Sequence, residues 1–205
     1  MAKQIEGVYE MVLTCARQEF LNKGFQDASL RTIAQEAGTS TGSIYTRFGD
    51  KEGLFKAIVE PVAAEMKQMV VRIQEMFHSF DADTQRNEMG KFSDASIEGI
   101  MDYIYDHFDT FRLLLDSAYG TLYQNFVNEL VDIEVQYTYK YLQITGNKSV
   151  TSGQLTEELM HIVTTAYMNG LFEVVRHGMN RETAHRYISM LRQYHRAGFE
   201  TIIRE

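Results

Sequence analysis

Between Ser29 and Lys51 the chain gathers side chains suited to gripping a partner rather than to making bonds. Ser29, Thr39, Ser40, Thr41, Ser43 and Thr46 bring hydroxyls, and Tyr45 a phenol. Arg31, Arg47 and Lys51 bring cations, and Gly42 leaves the backbone bare. Hydroxyls bond polar edges or phosphates, glycine admits close approach, and tyrosine, arginine and lysine hold anions. Reactive arrangements are missing elsewhere. Glu158 stands three residues before His161, half of a di-metal helix pattern with no second copy. No phosphate-cradling glycine loop or nucleophile elbow occurs. The single cysteine, Cys15, excludes an internal disulfide and a cysteine-built zinc site. Neither an enzyme, a metal site nor a cofactor is expected.

The elements that must position these residues are helical. The chain has 205 residues, 44% of them apolar, and a single proline, too little turn punctuation for a sandwich or barrel. Ile5, Val8, Tyr9, Val12, Leu13, Ala16 and Phe20 share one face of a first helix over residues 3–23, stopped by Gly24. Ser29 caps a short second helix carrying Leu30, Ile33, Ala34 and Ala37 inward. Gly38 ends it, and Ser40 or Thr41 starts a third helix running to Phe48, with Ile44 and Phe48 inward. Two short helices joined by a glycine-containing turn form the general helix-turn-helix pattern. In such a unit the second helix lies in the DNA major groove with its N-terminal residues toward base edges. Asp50 then caps a long fourth helix, in which Pro61 should produce a kink because it crowds the carbonyl of Ala57. Residues 78–92 look polar and aperiodic, the pattern of a loop. Further helices are expected near 93–107, 109–115, 117–143, 153–177 and 181–204.

The run Ile33-Ala34-x-x-Ala37-Gly38-x-Ser40-x-Gly42-x-Ile44-Tyr45-x-x-Phe48-x-x-Lys51-Glu52-x-Leu54 resembles the DNA-binding signature of the TetR family of transcriptional regulators. Leu13-x-x-Ala16-x-x-x-Phe20-x-x-x-Gly24-Phe25 is similar to that family's first helix. The resemblance implies an all-α chain: a three-helix DNA-binding domain over residues 1–50 and a larger ligand-binding and dimerisation bundle over 51–205. It implies that Thr41, Gly42 and Ser43 face bases, with Thr39 and Thr46 at the margin. Tyr45 and Lys51 would grip phosphates, and Ser29 or Arg31 would add another contact. Thr39 stands where valine is common, and Arg47 where histidine or tyrosine is common, so Arg47 could add a phosphate contact of its own. Ser29 and Ser40 also serve simply as caps, and exposed arginines such as Arg31 and Arg47 are ordinary on helices.

Net charge is −8, which alone disfavours nucleic acid. Residues 1–56, however, balance seven basic against seven acidic side chains, and the whole excess lies beyond them. A small neutral face suffices when two subunits act together on a palindromic operator, their recognition helices about 34 Å apart. The broad apolar faces of residues 153–177 and 181–204, with Ala166, Gly170, Ala197 and Gly198 among them, suit a homodimer built as a four-helix bundle. The family also implies a small effector in the body. Aromatic residues with scattered polar ones suggest His107, Phe111, Asp116, Tyr119, Tyr123 and His161 as its contacts. The same residues read equally as core and caps: Asp116 or Ser117 as a cap, His161 as a bonded core histidine. Two other readings share these features. An effector-free DNA binder would have a filled body, and a protein-binding scaffold would leave Tyr45 and Lys51 without a role. No apolar run reaches the roughly 18 residues of a membrane span, and the start lacks a signal peptide's pattern, so a soluble cytoplasmic protein is expected.

Overall fold

The computed structural model describes residues 2–204, with side chains from Gly7 onward; Ile5 lies outside the described side chains. Every regular element among the described residues is helical: α1 (Ala2–Asp27), α2 (Leu30–Glu36), α3 (Thr41–Phe48), α4 (Lys51–His78), α5 (Ala82–Asp106), α6 (Phe108–Arg112), a π-helical turn (Leu113–Ser117), α7 (Phe126–Ile144), α8 (Glu157–Arg176) and α9 (Arg181–Ile202).

Two compact units result. The first comprises residues up to Glu65 together with His107–Phe126, and the second Met66–Asp106 with Val127 onward. The boundary expected after residue 50 therefore moves, and for a physical reason. The first turns of α4 carry Leu54, Phe55, Ile58 and Val59, all buried. Phe55 meets Phe20 and Phe25 edge-on at 5.1 and 5.5 Å between ring centres, so those turns complete the core of the first unit. Glu52 accepts the Leu122 N–H at 3.1 Å, and Glu60 accepts the Tyr123 hydroxyl, which ties the segment after α6 to the same unit.

Two expectations along the chain are corrected. Residues 78–92 are no long loop, because α5 begins at Ala82. Asp81 caps it, accepting the N–H groups of Asp83 and Thr84 at 3.0 Å each. Gln85, Met89 and Phe92 give the segment its inward face, with Gln85 wholly buried and donating to the Phe80 carbonyl. A glutamine in an apolar position hides the helical period. Next, no helix covers residues 118–125. Gly120 takes φ 85°, and Thr121 both donates to the Ala118 carbonyl and accepts the Tyr123 N–H, a folded turn that delays α7 to Phe126. Asp116 and Ser117 accordingly lie in the π-helical turn rather than at a cap. The long fourth helix, α4, runs from Lys51 to His78 with Pro61 inside it.

In the second unit, α8 and α9 pack closely where Gly170 meets Leu191; a Cβ on Gly170 would lie 2.9 Å from that leucine's Cδ2. Phe77, Tyr141, Leu142, Leu155 and Met160 form one core cluster there.

Candidate functional site

Local capping chemistry sets the reading face. The Ser29 hydroxyl accepts the Thr32 N–H at 3.3 Å and starts α2. Gly38, at φ 64°, turns the chain. The Ser40 hydroxyl then accepts the Ser43 N–H at 3.1 Å and starts α3. Each cap contributes about 1 kcal/mol. Ile33, Ala37 and Ile44 are buried and lock the two helices together. What remains outward on α3 is Gly42, Ser43, Tyr45, Thr46 and Arg47, with Thr41 and Thr39 half-buried at the edge. Tyr45 is 53% exposed although it is a large aromatic residue. The structure thus brings together ten of the expected contacts, Ser29 to Arg47, around one small helix pair; Arg31 is exposed on α2.

Three hydroxyls are already engaged within the protein. Ser40 and Ser43 share a hydrogen bond at 2.9 Å, and Thr46 donates to the Gly42 carbonyl at 2.8 Å. Arg47 lies over the Tyr9 ring at 4.0 Å, and Tyr9 in turn stacks on Phe48 at 5.6 Å. This cation–π seat fixes where the guanidinium sits.

Lys51 differs from its expected role. Its ammonium donates to the carbonyls of Gln26 at 2.8 Å and Ala28 at 3.1 Å and lies 4.9 Å from the centre of the Phe25 ring. It therefore closes the end of α1, using two of its three donors on the protein itself.

Sequence reasoning missed two further residues. Glu19 is buried, and its carboxylate accepts the Lys23 ammonium at 2.9 Å and the Ser29 N–H at 3.0 Å. Burial opposes its ionisation, but these bonds outweigh burial and hold the carboxyl below the usual glutamate range. Its one sequence signal is a carboxylate beside the buried stripe of Ala16 and Phe20. Gly53 is the other: a Cβ there would lie 1.9 Å from the Phe48 carbonyl oxygen, so the α3–α4 junction admits only glycine. Gly42 is the opposite case. It is exposed in a helix, and a Cβ would meet nothing closer than the Ser40 Oγ at 3.7 Å. Nothing inside the protein requires a glycine at that position.

Residues 12–58 match the family of bacterial regulatory proteins designated tetR. The HTH-type transcriptional regulator YvdT of Bacillus subtilis, itself uncharacterised, is 40% identical over 163 residues, covering 77% of this chain and 74% of that protein. The chain belongs to the TetR family. The HTH-type transcriptional regulator BetI of Stenotrophomonas maltophilia is 32% identical over 95 residues, 44% of this chain. That match spans 46% of BetI, and the match to the repressor AcnR of Corynebacterium glutamicum only 31% of it. Solved TetR-like regulators from a Rhodococcus species and from Aquifex aeolicus share the fold. Their TM-scores are 0.58 and 0.57 at 17% and 16% identity, and they cover 93% and 95% of this chain and 96% and 99% of their own.

In this TetR-family chain the second unit encloses a cavity of about 210 Å³ between α4, α5, α7, α8 and α9. None of the six expected effector contacts lines it. Five of them, His107, Phe111, Asp116, Tyr119 and Tyr123, belong to the first unit. Phe111 and Tyr123 are buried core there, with Tyr123 against Phe55 and Glu60. Asp116 and Tyr119 are exposed, and His107 precedes the first turn of α6. His161 lies exposed on α8, its ring near the Thr165 hydroxyl at 3.5 Å. An aromatic stripe in sequence does not reveal whether it faces a cavity or a filled core.

The cavity has aromatic walls with a few polar groups. Glu134 accepts Gln74 Nε2 at 2.7 Å, and burial raises its carboxyl above the usual range, partly offset by that bond. Tyr167 stacks on His195 at 4.1 Å. Burial, then the nearby Glu134 charge, pushes the Tyr167 phenol well above its ordinary value. Burial alone keeps His195 neutral below the usual histidine range. Arg192 and Arg196 both pair with Asp94, and Arg196 also donates to the Gly90 carbonyl at 3.0 Å.

Proposed function

We propose that the protein is a transcriptional regulator that reads a palindromic operator as a homodimer and is released from it by a small molecule held in the second unit. The observation that carries the DNA reading is α3, a doubly capped helix whose outward face is a bare glycine, small hydroxyls, a tyrosine and an arginine. Thr41, Gly42 and Ser43 meet base edges from the helix N-terminus, Thr39 and Thr46 flank them, and Ser40 holds the helix start. Tyr45, Arg47, Arg31 and the Ser29 hydroxyl contact phosphates. Lys51 contributes chiefly by fastening the end of α1, its remaining donor being its only means of reaching a phosphate.

The dimer reading rests on α8 and α9. Ile162, Met190 and Tyr194 are 62, 64 and 79% exposed despite their apolar bulk, and Tyr187 is half exposed. Such a stripe is costly to leave in water and suits a self-complementary two-fold contact. The cavity favours an effector over the effector-free alternative, whose body would be filled. No helix among the described residues is long and apolar enough to cross a membrane; a DNA-bound regulator acts in the cytoplasm.

The test is binding to a labelled fragment from upstream of the protein's own gene, with excess non-specific competitor at physiological salt. Competitor-resistant binding should weaken about tenfold or more in Tyr45→Phe, the value of one hydroxyl bond to a charged phosphate. If neither that fragment nor a selection from random duplexes yields specific binding, the reading fails. Light scattering of Tyr194→Glu, expected to be monomeric, tests the dimer face.

A further inference from the structure

Two acceptors face one another's helices along the α4–α7 seam of the cavity. Gln74 and His78 are one turn apart on α4, and Glu134 and Tyr137 one turn apart on α7. Gln74 bonds Glu134, and His78 bonds the Tyr137 carbonyl at 3.1 Å through Nε2. A carbonyl only accepts, so His78 Nε2 carries the proton and Nδ1 presents a lone pair. That Nδ1 is buried and has no hydrogen-bond partner in the protein. Burial, together with the nearby Lys140 charge, keeps the ring neutral despite the bond to Tyr137. Glu134 has a neutral amide as its donor and no cation paired with it. The cavity's two arginines pair with Asp94 and donate to main-chain carbonyls, while Arg192 Nε is buried without a partner among the described residues.

Around these acceptors the walls are apolar or aromatic. Tyr137 stacks on His78 at 5.4 Å, and Phe77 lies 5.2 Å from Phe92 and 6.0 Å from Tyr141. A half-buried carboxyl bonded only to a neutral amide, set beside a neutral imidazole in an aromatic wall, matches an ammonium group on an apolar body. We propose that the cavity is selective for small molecules of this class, a protonated amine whose N–H groups meet the Glu134 carboxylate while its apolar part fills the aromatic end. The inference rests on the reading of the cavity as the effector site. A bound cation restores the ionised form that burial disfavours in Glu134, so the carboxylate discriminates by charge more strongly than a solvated one would.

The experiment is isothermal titration of the full chain at pH 7 with three probes of one shape: phenethylammonium, neutral propylbenzene and anionic 3-phenylpropanoate. Phenethylammonium should bind at least tenfold more tightly than either. Glu134→Gln should reduce its affinity at least tenfold while propylbenzene binds within twofold of wild type, which also shows that the variant's cavity is intact. Stronger binding of propylbenzene would overturn the amine class but leave the cavity reading standing. Preference for 3-phenylpropanoate would overturn it in favour of Arg192 and Arg196. An unchanged phenethylammonium affinity in Glu134→Gln would overturn the role of the carboxylate. Failure of all three probes to bind wild type would overturn both the amine class and the cavity as effector site.

Discussion

Gly42→Ala separates folding from recognition at a single atom. The residue is helical and exposed, and its new Cβ would meet only Ser40 Oγ, at an ordinary 3.7 Å. Alanine in an exposed helix is more stable than glycine by about 0.5–1 kcal/mol, chiefly because glycine loses more backbone freedom on folding. Gly42 lies in the first turn of α3, which favours the lower end of that range. For a chain of this size the gain corresponds to a rise of about 1–4 °C in melting temperature. If α3 lies against base edges, the added methyl displaces the backbone from the duplex, and operator affinity should fall at least tenfold, about 1.4 kcal/mol. Gly7→Ala is the control, since it adds a methyl on exposed α1 with nothing within 4 Å and should gain similar stability with unchanged DNA binding. Thermal unfolding and competitor-resistant binding are measured on both variants. A stabilised Gly42→Ala that binds the operator within twofold of wild type would refute the placement of α3 in the groove.

Lys51→Met keeps the stem but removes the ammonium from the carbonyls of Gln26 and Ala28; urea unfolding should show a loss of about 1–2 kcal/mol. A lysine acting on phosphate alone would weaken DNA binding and leave unfolding unchanged. Glu19→Gln should cost about 1–2 kcal/mol near neutral pH, because a carboxylate no longer holds the Ser29 N–H and Lys23. The folded carboxyl titrates below its unfolded value, so this advantage is fully present above the usual glutamate range and disappears as pH falls through the lowered folded value. A gap between wild type and variant that persists in strong acid would contradict that linkage. Gly53→Ala should cost about 1–3 kcal/mol in urea unfolding, because its Cβ cannot coexist with the Phe48 carbonyl oxygen.

Those substitutions also mark how far the sequence was legible. The boundaries of α2 and α3 follow from Ser29, Ser40, Gly38 and Asp50, because a cap is made within three or four residues and its chemistry is local. The α5 start was hidden because Gln85 fills a buried position with an amide that bonds Phe80, a compensation visible only in three dimensions. The α7 start was hidden because a helical apolar pattern continues through 117–125 while Gly120 and Thr121 impose a turn. Lys51 stands out in the sequence, but phosphate and a helix's last carbonyls attract the same ammonium, and spacing cannot choose between them. Glu134 was passed over because an acidic residue between Ile133 and Val135 reads as a solvated position. Its significance depends on Gln74, sixty residues away, and on the cavity the two helices share.

The same contrast explains how a chain of net charge −8 carries a nucleic-acid face. Three cations of its first unit are already engaged within the protein. Lys23 is paired with buried Glu19, Lys51 is set into carbonyls, and Arg47 rests on Tyr9. Each pre-set cation loses less side-chain entropy on meeting a phosphate, or none where it already serves the fold. On the proposed reading, few charges then suffice, and affinity shifts from long-range attraction toward fit: the bare backbone at Gly42, the hydroxyls beside it and Tyr45.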